Sequence, residues 1–508
     1  MPVVTINDVP YTVPSGTRLG TLLAREEKLG MPCGGQGRCG KCKVTARGAL
    51  NPLTEREKRY LSRNETAQGI RLACMTVIEG DCGVCITGEK DSQIRIRGDM
   101  PQVRLQPAFT AYGCAVDIGT TTLAACLYDR KGNLLAQASS RNPQAGWGAD
   151  VISRMDAALR GAGRELAAAV CKAVDELLLQ LSETAGIHSR EIDGLVITGN
   201  TVMLHLLTET STEPLSHAPF AVQRRFGETM EAGALRFTAV APGTGVYLPP
   251  CISAFVGADL VTALLASGIY DGSGIQMLTD IGTNGEMALL QNGRLYVCSA
   301  AAGPAFEGAG ISQGMQGKNG AIDRVFLQGN ELGIHVIGEG AAEGICGSGI
   351  VDALACLLES GQIDETGYME EESISIAPSV AVTQKDVRMV QLAKSAIHAG
   401  IRTLLHMADI DCGEVSNLLI AGGFGSYLNV KNAGRIGLIP AGLVPRVRVI
   451  GNAALSGAAM LLLNQEYRAA CKKYADDAKE IQLSVNPFFS EEYMAQMMFY
   501  ASDRQDLQ

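Results

Sequence analysis

Residues 115–136 read AVDIGTTTLAACLYDRKGNLLA, and residues 278–297 read LTDIGTNGEMALLQNGRLYV. Each starts as an apolar run suited to a buried strand, breaks at Asp-Ile-Gly-Thr, and resumes as a second strand, a polar turn and a third strand. Lys131-Gly132-Asn133 and Asn292-Gly293 supply the polar turns. Further along each copy, LVITGNTVMLHLL (195–207) and LLIAGGFGSYLNV (418–430) run from an apolar strand through a glycine turn into a predicted helix. A long amphipathic helix precedes each: GRELAAAVCKAVDELLLQL from Gly163 and DVRMVQLAKSAIHAGIRTLL from Asp386. One plan written twice in the same order predicts two lobes of shared topology facing each other across a cleft.

The Gly-Thr turns point to what that cleft binds. Gly119 and Gly282 permit close backbone approach, while Thr120, Thr121, Thr283 and Asn284 offer donors to phosphate oxygens. Asp117 and Asp280 suit Mg2+, which takes one or two carboxylates, waters and phosphate oxygens. A lone aspartate at a strand end is more often a turn cap; duplication favours the functional reading. A P-loop is excluded, because Gly317-Lys318 is followed by Asn319.

The front of the chain is different. Six of the 15 cysteines fall within the first 85 residues: Cys33, Cys39, Cys42, Cys74, Cys82 and Cys85. VVTIND and VPYTVPSG read as two strands around Asn7-Asp8, followed by a helix carrying Leu19, Leu22 and Leu23. A second helix opens with Thr54 and Glu57 at capping-box spacing, and RLACMTVIEGDCGVCIT alternates like a strand. This is a small β-grasp pattern. Cys33, Cys39 and Cys42 are spaced C-x5-C-x2-C, and Cys74 completes four thiolates, the set a [2Fe–2S] cluster needs. Gly34, Gly35, Gly37 and Gly40 let the loop wrap such a cluster closely. Four thiolates would also satisfy zinc, but zinc sites usually present two C-x2-C knuckles and only one precedes Cys74. Cys82 and Cys85, on a strand, would face opposite sides of the sheet. Gly35, Gly37 and Gly40 match G-x-G-x-x-G, yet no βαβ unit surrounds them, so a dinucleotide site is rejected.

Composition bounds the partners. The 508 residues carry a formal charge of −10, which argues against nucleic acid as the main partner. Residues 1–98 hold 15 Lys+Arg and 10 Asp+Glu, so a basic front precedes an acidic body. The longest apolar runs fall short of the roughly 20 residues that span a bilayer, and no signal peptide is visible, so a cytoplasmic location without membrane attachment is expected. The sequence divides into a ferredoxin-like domain over 1–95, a proline-punctuated linker over 96–112, lobes over 113–270 and 271–480, and a tail over 481–508 packed on the body.

The body, over residues 113–465, resembles the acetate and sugar kinase, heat-shock cognate and actin superfamily. DIGTTT (117–122) and DIGTNGE (280–286) look like its two phosphate motifs, and AGGFG (421–425) like its adenosine motif, which adds Gly422 and Gly423 to the nucleotide contacts. GICGSGIVDALACLL (344–358) and GNAALSGAAMLLL (451–463) look like its connecting helices. The resemblance implies ATP between two actin-like lobes, with Glu286 or Asp117 placed to position the attacking water and Glu307 a weaker candidate.

A ferredoxin-like front on such a body closely resembles the reductive activators of corrinoid-dependent methyltransferase systems. The resemblance implies ATP-dependent transfer of one electron from the [2Fe–2S] cluster to convert cob(II)alamin on a corrinoid protein to cob(I)alamin, with an external low-potential electron donor and a possible homodimer. A gap of about 250 mV would cost around 6 kcal/mol for one electron, a load nucleotide-driven closure can offset. The short linker implies that a sizeable middle domain of some members is absent or much reduced. Without further clustered cysteines, paired [4Fe–4S] clusters are not expected; Cys346 and Cys356 read as small buried side chains. The rival readings are an activator of a radical dehydratase or aromatic-ring reductase, a metabolite kinase with a redox regulatory domain, and a chaperone-like protein with a structural cluster.

Overall fold

The computed structural model describes residues 1–6, 9–25, 35, 37, 40, 42–61, 63–85, 98–329, 331–338, 340–423 and 427–499. The chain falls into two compact units, one of residues 1–91 with 141–173 and one of residues 92–140 with 174–508.

The first unit is built on a mixed five-stranded sheet of β1 (Val3–Ile6), β2 (Val9–Thr12), β3 (Lys43–Leu50), β4 (Ile70–Leu72) and β5 (Ile78–Cys85), in the order β2-β1-β5-β3-β4. Only β1 and β5 run parallel, a β-grasp arrangement. The predicted turn at Asn7-Asp8 lies outside the described residues. Helix α1 (Leu19–Arg25) buries Leu19, Leu22 and Leu23 against Ile6, Val44, Leu72 and Ile78. Helix α2 (Glu55–Tyr60) begins with the expected capping box between Thr54 and Glu57, and α3 (Arg63–Ala67) follows.

The capping glutamate does more than cap. Glu57 is fully buried, accepts from Arg71 Nε at 2.8 Å and Nη2 at 3.1 Å, and accepts from the Leu72 amide at 3.2 Å. A buried bidentate pair tolerates little displacement, so α2 holds β4 in place just before Cys74. The expected alternation holds along β5 but is broken first by a 3-10 turn at Ala73–Met75, which carries Cys74. Residues 141–173, assigned from sequence to the first lobe, cluster instead with this unit, where α1 packs beside the turn Pro143–Gly146. They include α4 (Val151–Ala157) and the start of α5 (Gly163–Ala185).

The duplication is explicit in the second unit. β6 (Tyr112–Ile118), β7 (Thr122–Asp129), β8 (Leu134–Arg141), β9 (Ile192–Gly199), β10 (Glu228–Glu231) and β11 (Gly245–Leu248) form a sheet ordered β10-β11-β9-β6-β7-β8. β12 (Ile275–Ile281), β13 (Gly285–Gln291) and β14 (Arg294–Ala300) repeat the meander of β6–β8. Small sheets follow, of β15 (Ala321–Gln328), β16 (Glu331–Val336) and β17 (Gly344–Ile345), and of β18 (Ser373–Ala377) and β19 (Val380–Thr383). With β20 (Val415–Ala421), β21 (Val447–Gly451) and β22 (Lys479–Glu480), the second large sheet is ordered β21-β20-β12-β13-β14-β22. In both, the first strand of the meander lies parallel to the strand that ends in a glycine turn, β9 in one and β20 in the other.

The helices complete the layers: α6 (Thr201–Leu207), α7 (Ala258–Ser267), α8 (Gly347–Glu359), α9 (Gln384–Met407), α10 (Val430–Arg435), α11 (Ala453–Leu463), α12 (Tyr467–Asp477) and α13 (Pro487–Ala495). One core joins residues of both sheets, including Ala115, Cys126, Leu278 and Val297, to α7 and α11. These two helices are therefore the layer between the sheets. The expectation of α8 as a connecting helix is corrected: α8 packs on β15 and α10 within the second core. Helix α11, read with the second lobe, packs on β6, β9 and α7. Small residues explain the close pairing. A Cβ on Gly457 would lie 1.9 Å from the Thr262 carbonyl oxygen, so the α7–α11 crossing is backbone against backbone. Among the described residues no helix is long and apolar enough to cross a membrane.

Replacing Gly457 with alanine should therefore separate the central helices and destabilise the body by about 1–3 kcal/mol. Thermal denaturation followed by circular dichroism checks this through a lowered midpoint.

Candidate functional site

Cys42 and Cys74 approach to 3.2 Å between sulfurs, and both are buried. That is far longer than a disulfide, about 2.05 Å. It is about half an ångström inside the roughly 3.8 Å that separates two thiolates on one tetrahedral metal with bonds of about 2.3 Å, so a small opening of the pair would admit one. The Ala73 amide donates to the Cys42 carbonyl at 2.8 Å, which sets the two cysteine backbones side by side. Gly35, Gly37 and Gly40 all have φ between +66° and +74°, and a Cβ on Gly37 would lie 2.8 Å from Met75 Sδ. These three glycines thus take a backbone conformation that side chains disfavour, and at Gly37 a Cβ would crowd its neighbour. Cys33, Cys39 and Gly34, assigned to the same site, lie outside the described residues. Cys82 is buried opposite Val4 while Cys85 is exposed, so they do face opposite sides of β5.

In the second unit one cleft gathers Asp117, Gly119, Thr120, Thr121, Asp280, Gly282, Thr283, Asn284, Glu286, Gly422 and Gly423. Strands place them. Asp117 and Asp280 sit near the ends of β6 and β12, and Glu286 lies opposite Asp280 on β13. Gly119 and Gly282 close their turns by donating to the carbonyls of Thr122 at 3.0 Å and Asn284 at 3.2 Å. Gly422 has φ +98°, and a Cβ there would lie 2.6 Å from the Ile281 carbonyl oxygen and 2.8 Å from Asp280 Oδ1. Only glycine fits that crossing.

Glu307, the weaker candidate from sequence, is the point where the two turns meet. Its carboxylate accepts from Thr121 Oγ1 and, at 3.0 Å, from Thr283 Oγ1, and the two hydroxyls are 3.4 Å apart. Sequence reasoning missed Asp259, Asn200, Asn452, Gln316 and Tyr427, which also line the cleft. Asn452 Nδ2 donates to Asp117 Oδ2 at 3.0 Å and Asn200 Nδ2 to Glu286 Oε1 at 3.5 Å, while each asparagine also caps a helix. Gln316 Nε2 donates to Thr122 Oγ1 at 3.2 Å. The signal for the asparagines was a repeated Gly-Asn before each helix, in TGNT and IGNA.

Five carboxylates thus share one cleft that no described Lys or Arg lines. Burial pushes Asp117 up to about 6, against a hydrogen bond from Asn452 that lowers it. Burial, then the neighbouring charges of Asp259, Asp117 and Glu307, raise Asp280 to about 8. Burial and Asp117 raise Asp259, and burial with Asp259 and Asp280 pushes Glu286 well above the carboxylate range. Among the described residues no three His, Cys, Asp or Glu side chains close tightly enough to chelate a metal. The donor set fits a hard cation bridged by water and phosphate oxygens better than one caged by protein alone.

Comparison with known proteins divides the chain into three regions. A 2Fe-2S iron-sulfur cluster binding domain matches residues 4–79, the RACo middle region matches 112–272, and the C-terminal domain of RACo, the ASKHA domain, matches 274–508. The expected absence of a middle domain is corrected by the second match: that region is the stretch read as the first lobe. The chain is 36% identical over 419 residues to the corrinoid activation enzyme RamQ of Eubacterium limosum, covering 76% of this chain and 70% of that protein. It is 26% identical over 429 residues to the [Co(II) methylated amine-specific corrinoid protein] reductase of Methanosarcina barkeri, covering 77% of each. A solved structure titled reductive activator for corrinoid, iron-sulfur protein aligns over 99% of both chains at 27% identity and a TM-score of 0.73.

The raised carboxylates make stability pH-dependent. Asp117 and Asp280 hold protons in the folded chain that they release when unfolded, so their contribution is full below the unfolded value near 3.8 and is lost as pH rises through about 6 and about 8. In cation-free buffer the melting temperature should fall between pH 5 and pH 8, and Asp280→Asn should flatten that slope. Melting curves across the range check both.

Proposed function

The chain belongs to the RACo family of reductive activators of corrinoid proteins, and on that premise we propose that it couples ATP hydrolysis to the one-electron reduction of cob(II)alamin to cob(I)alamin on a partner corrinoid protein, drawing on an external low-potential donor. The observation that carries this reading is the cleft: two Gly-Thr turns and five carboxylates converge in the same chain as a ferredoxin-like module.

A [2Fe–2S] cluster held by Cys33, Cys39, Cys42 and Cys74 would supply a one-electron carrier. The buried pair Cys42 and Cys74, braced by the Glu57–Arg71 ion pair three residues before Cys74, is the part of that ligand set on which the support rests.

In the cleft, ATP would lie with its phosphates between the turns at Gly119–Thr121 and Gly282–Asn284 and its nucleoside at Gly422–Gly423. Asp117 and Asp280 would hold Mg2+ through water, relieving the repulsion that raises their proton affinity. Thr121 and Thr283, whose hydroxyls now converge on Glu307, would turn to phosphate oxygens as nucleotide enters. Glu286, opposite Asp280 and hydrogen-bonded to Asn200, would orient the attacking water. Phosphate contacts drawn from both lobes favour the closed cleft. The load on this step is the adverse potential, about 1.4 kcal/mol for each 59 mV.

Two variants separate the modules. Asp280→Ala should lower ATP turnover by at least 100-fold while leaving the visible absorption of the anaerobically purified protein intact. Cys74→Ser should remove that absorption with ATP turnover retained. The decisive assay mixes the protein, ATP, a low-potential reductant and a cob(II)alamin-loaded corrinoid protein without oxygen, and cob(I)alamin absorption should appear only with ATP. Colourless protein carrying zinc, or equal loss of both signals in Asp280→Ala, would overturn the proposal.

A further inference from the structure

The segment leading into the ATPase body is not a free tether. The Gly98 amide donates to the Asn452 carbonyl at 3.3 Å and the Asp99 amide to the Ile450 carbonyl at 2.9 Å. A Cβ on Gly98 would lie 2.3 Å from the Ile450 oxygen and 2.9 Å from the Asn452 backbone, so glycine alone permits the approach. Met100 and Val103 pack against the core between the sheets. Further on, the Gln106 and Ala108 amides donate to the Leu463 and Leu462 carbonyls at the far end of α11.

The near anchor, Ile450–Asn452, is also wired to the cleft at both ends of the expected nucleotide. Asn452 Nδ2 donates to Asp117 at 3.0 Å, beside the phosphate turn. The Gly422 amide, in the nucleoside turn, donates to the Gly451 carbonyl at 3.0 Å. Asn452 Oδ1 meanwhile accepts from the Leu455 amide at 2.9 Å, capping α11. Three residues thus join the carboxylate, the nucleoside turn, the central helix and the incoming chain. None has room to move alone, because the linker, β20 and α11 meet them through backbone hydrogen bonds.

We propose that Asn452 is a positioning residue that transmits occupancy of the cleft to residues 98–101, the stretch through which the N-terminal module is attached. This rests on the reading of the cleft as an ATP site. Nucleotide that orders Asp117 and Gly422 orders Ile450–Asn452, and the linker amides bonded there open less often. The amides of Gln106 and Ala108, bonded away from this junction, provide an internal control.

The test is hydrogen exchange on the full-length, cluster-loaded protein with and without Mg·ATP, read alongside ATP hydrolysis and cob(I)alamin formation. In the wild type, Mg·ATP should slow exchange over residues 98–101 at least threefold and leave 106–108 unchanged. Asn452→Ala should lose that slowing at ATP concentrations that saturate its own hydrolysis. Gly98→Ala, whose added methyl cannot be seated against Ile450 and Asn452, should free the linker from the anchor and form at least fivefold less cob(I)alamin per ATP hydrolysed. Hydrolysis in the wild type with no change at 98–101, slowing that survives in Asn452→Ala, or full coupling in Gly98→Ala would each overturn the proposal while leaving the ATP reading standing. A wild type that neither binds nor hydrolyses ATP would overturn the ATP reading, and this proposal with it.

Discussion

Electrostatic crowding in the cleft is the constraint on which the body depends. Asp117, Asp259, Asp280, Glu286 and Glu307 are brought together by strand ends, a helix start and a short turn, with no described cationic side chain among them. Such a group is tolerable only if protons, hydrogen bonds or a bound cation neutralise it. Burial raises the proton affinity of Asp117, and burial with the neighbouring carboxylates raises that of Asp280; Asn452, Asn200 and the Thr121 and Thr283 hydroxyls donate to the crowded carboxylates. On the proposed reading, a ligand that brought a cation with it would relieve this crowding.

The same groups explain why the cleft belongs to both lobes. Glu307 is bound by one threonine from each Gly-Thr turn, and Gln316 reaches from the second half to Thr122 of the first. Behind these contacts α7 and α11 cross with Gly457 against the Thr262 carbonyl, leaving no side chain to cushion a change of angle. Packed interfaces of this kind shift between discrete arrangements rather than deform smoothly. Any ligand that displaced Glu307 from between the threonines would change the contacts of both lobes together.

In the N-terminal module the logic is one of rigidity. Burying Glu57 with Arg71 is costly unless every acceptor position is used, and here the carboxylate takes the guanidinium, the Thr54 amide and the Leu72 amide. That network fixes the chain entering Cys74, and the Ala73–Cys42 hydrogen bond fixes its neighbour. Two thiolates held this firmly present a metal with little rearrangement, which suits a carrier that must change charge without moving its ligands.

Local pattern sufficed for much of this. The repeated Asp-Ile-Gly-Thr meanders, the capping box at Thr54, the opposed faces of Cys82 and Cys85, and the small-residue run of α11 are readable because each depends on neighbours within a few residues. What the chain order could not disclose was decided by packing at long range. It set α7 rather than α8 between the sheets, brought Asp259, Asn200 and Asn452 into the cleft, raised Glu307 from a side candidate to its centre, and bound residues 98–108 along the body. These outcomes turn on which backbones can approach within hydrogen-bonding distance, and that is settled by glycines such as Gly98, Gly422 and Gly457 meeting partners far away in sequence.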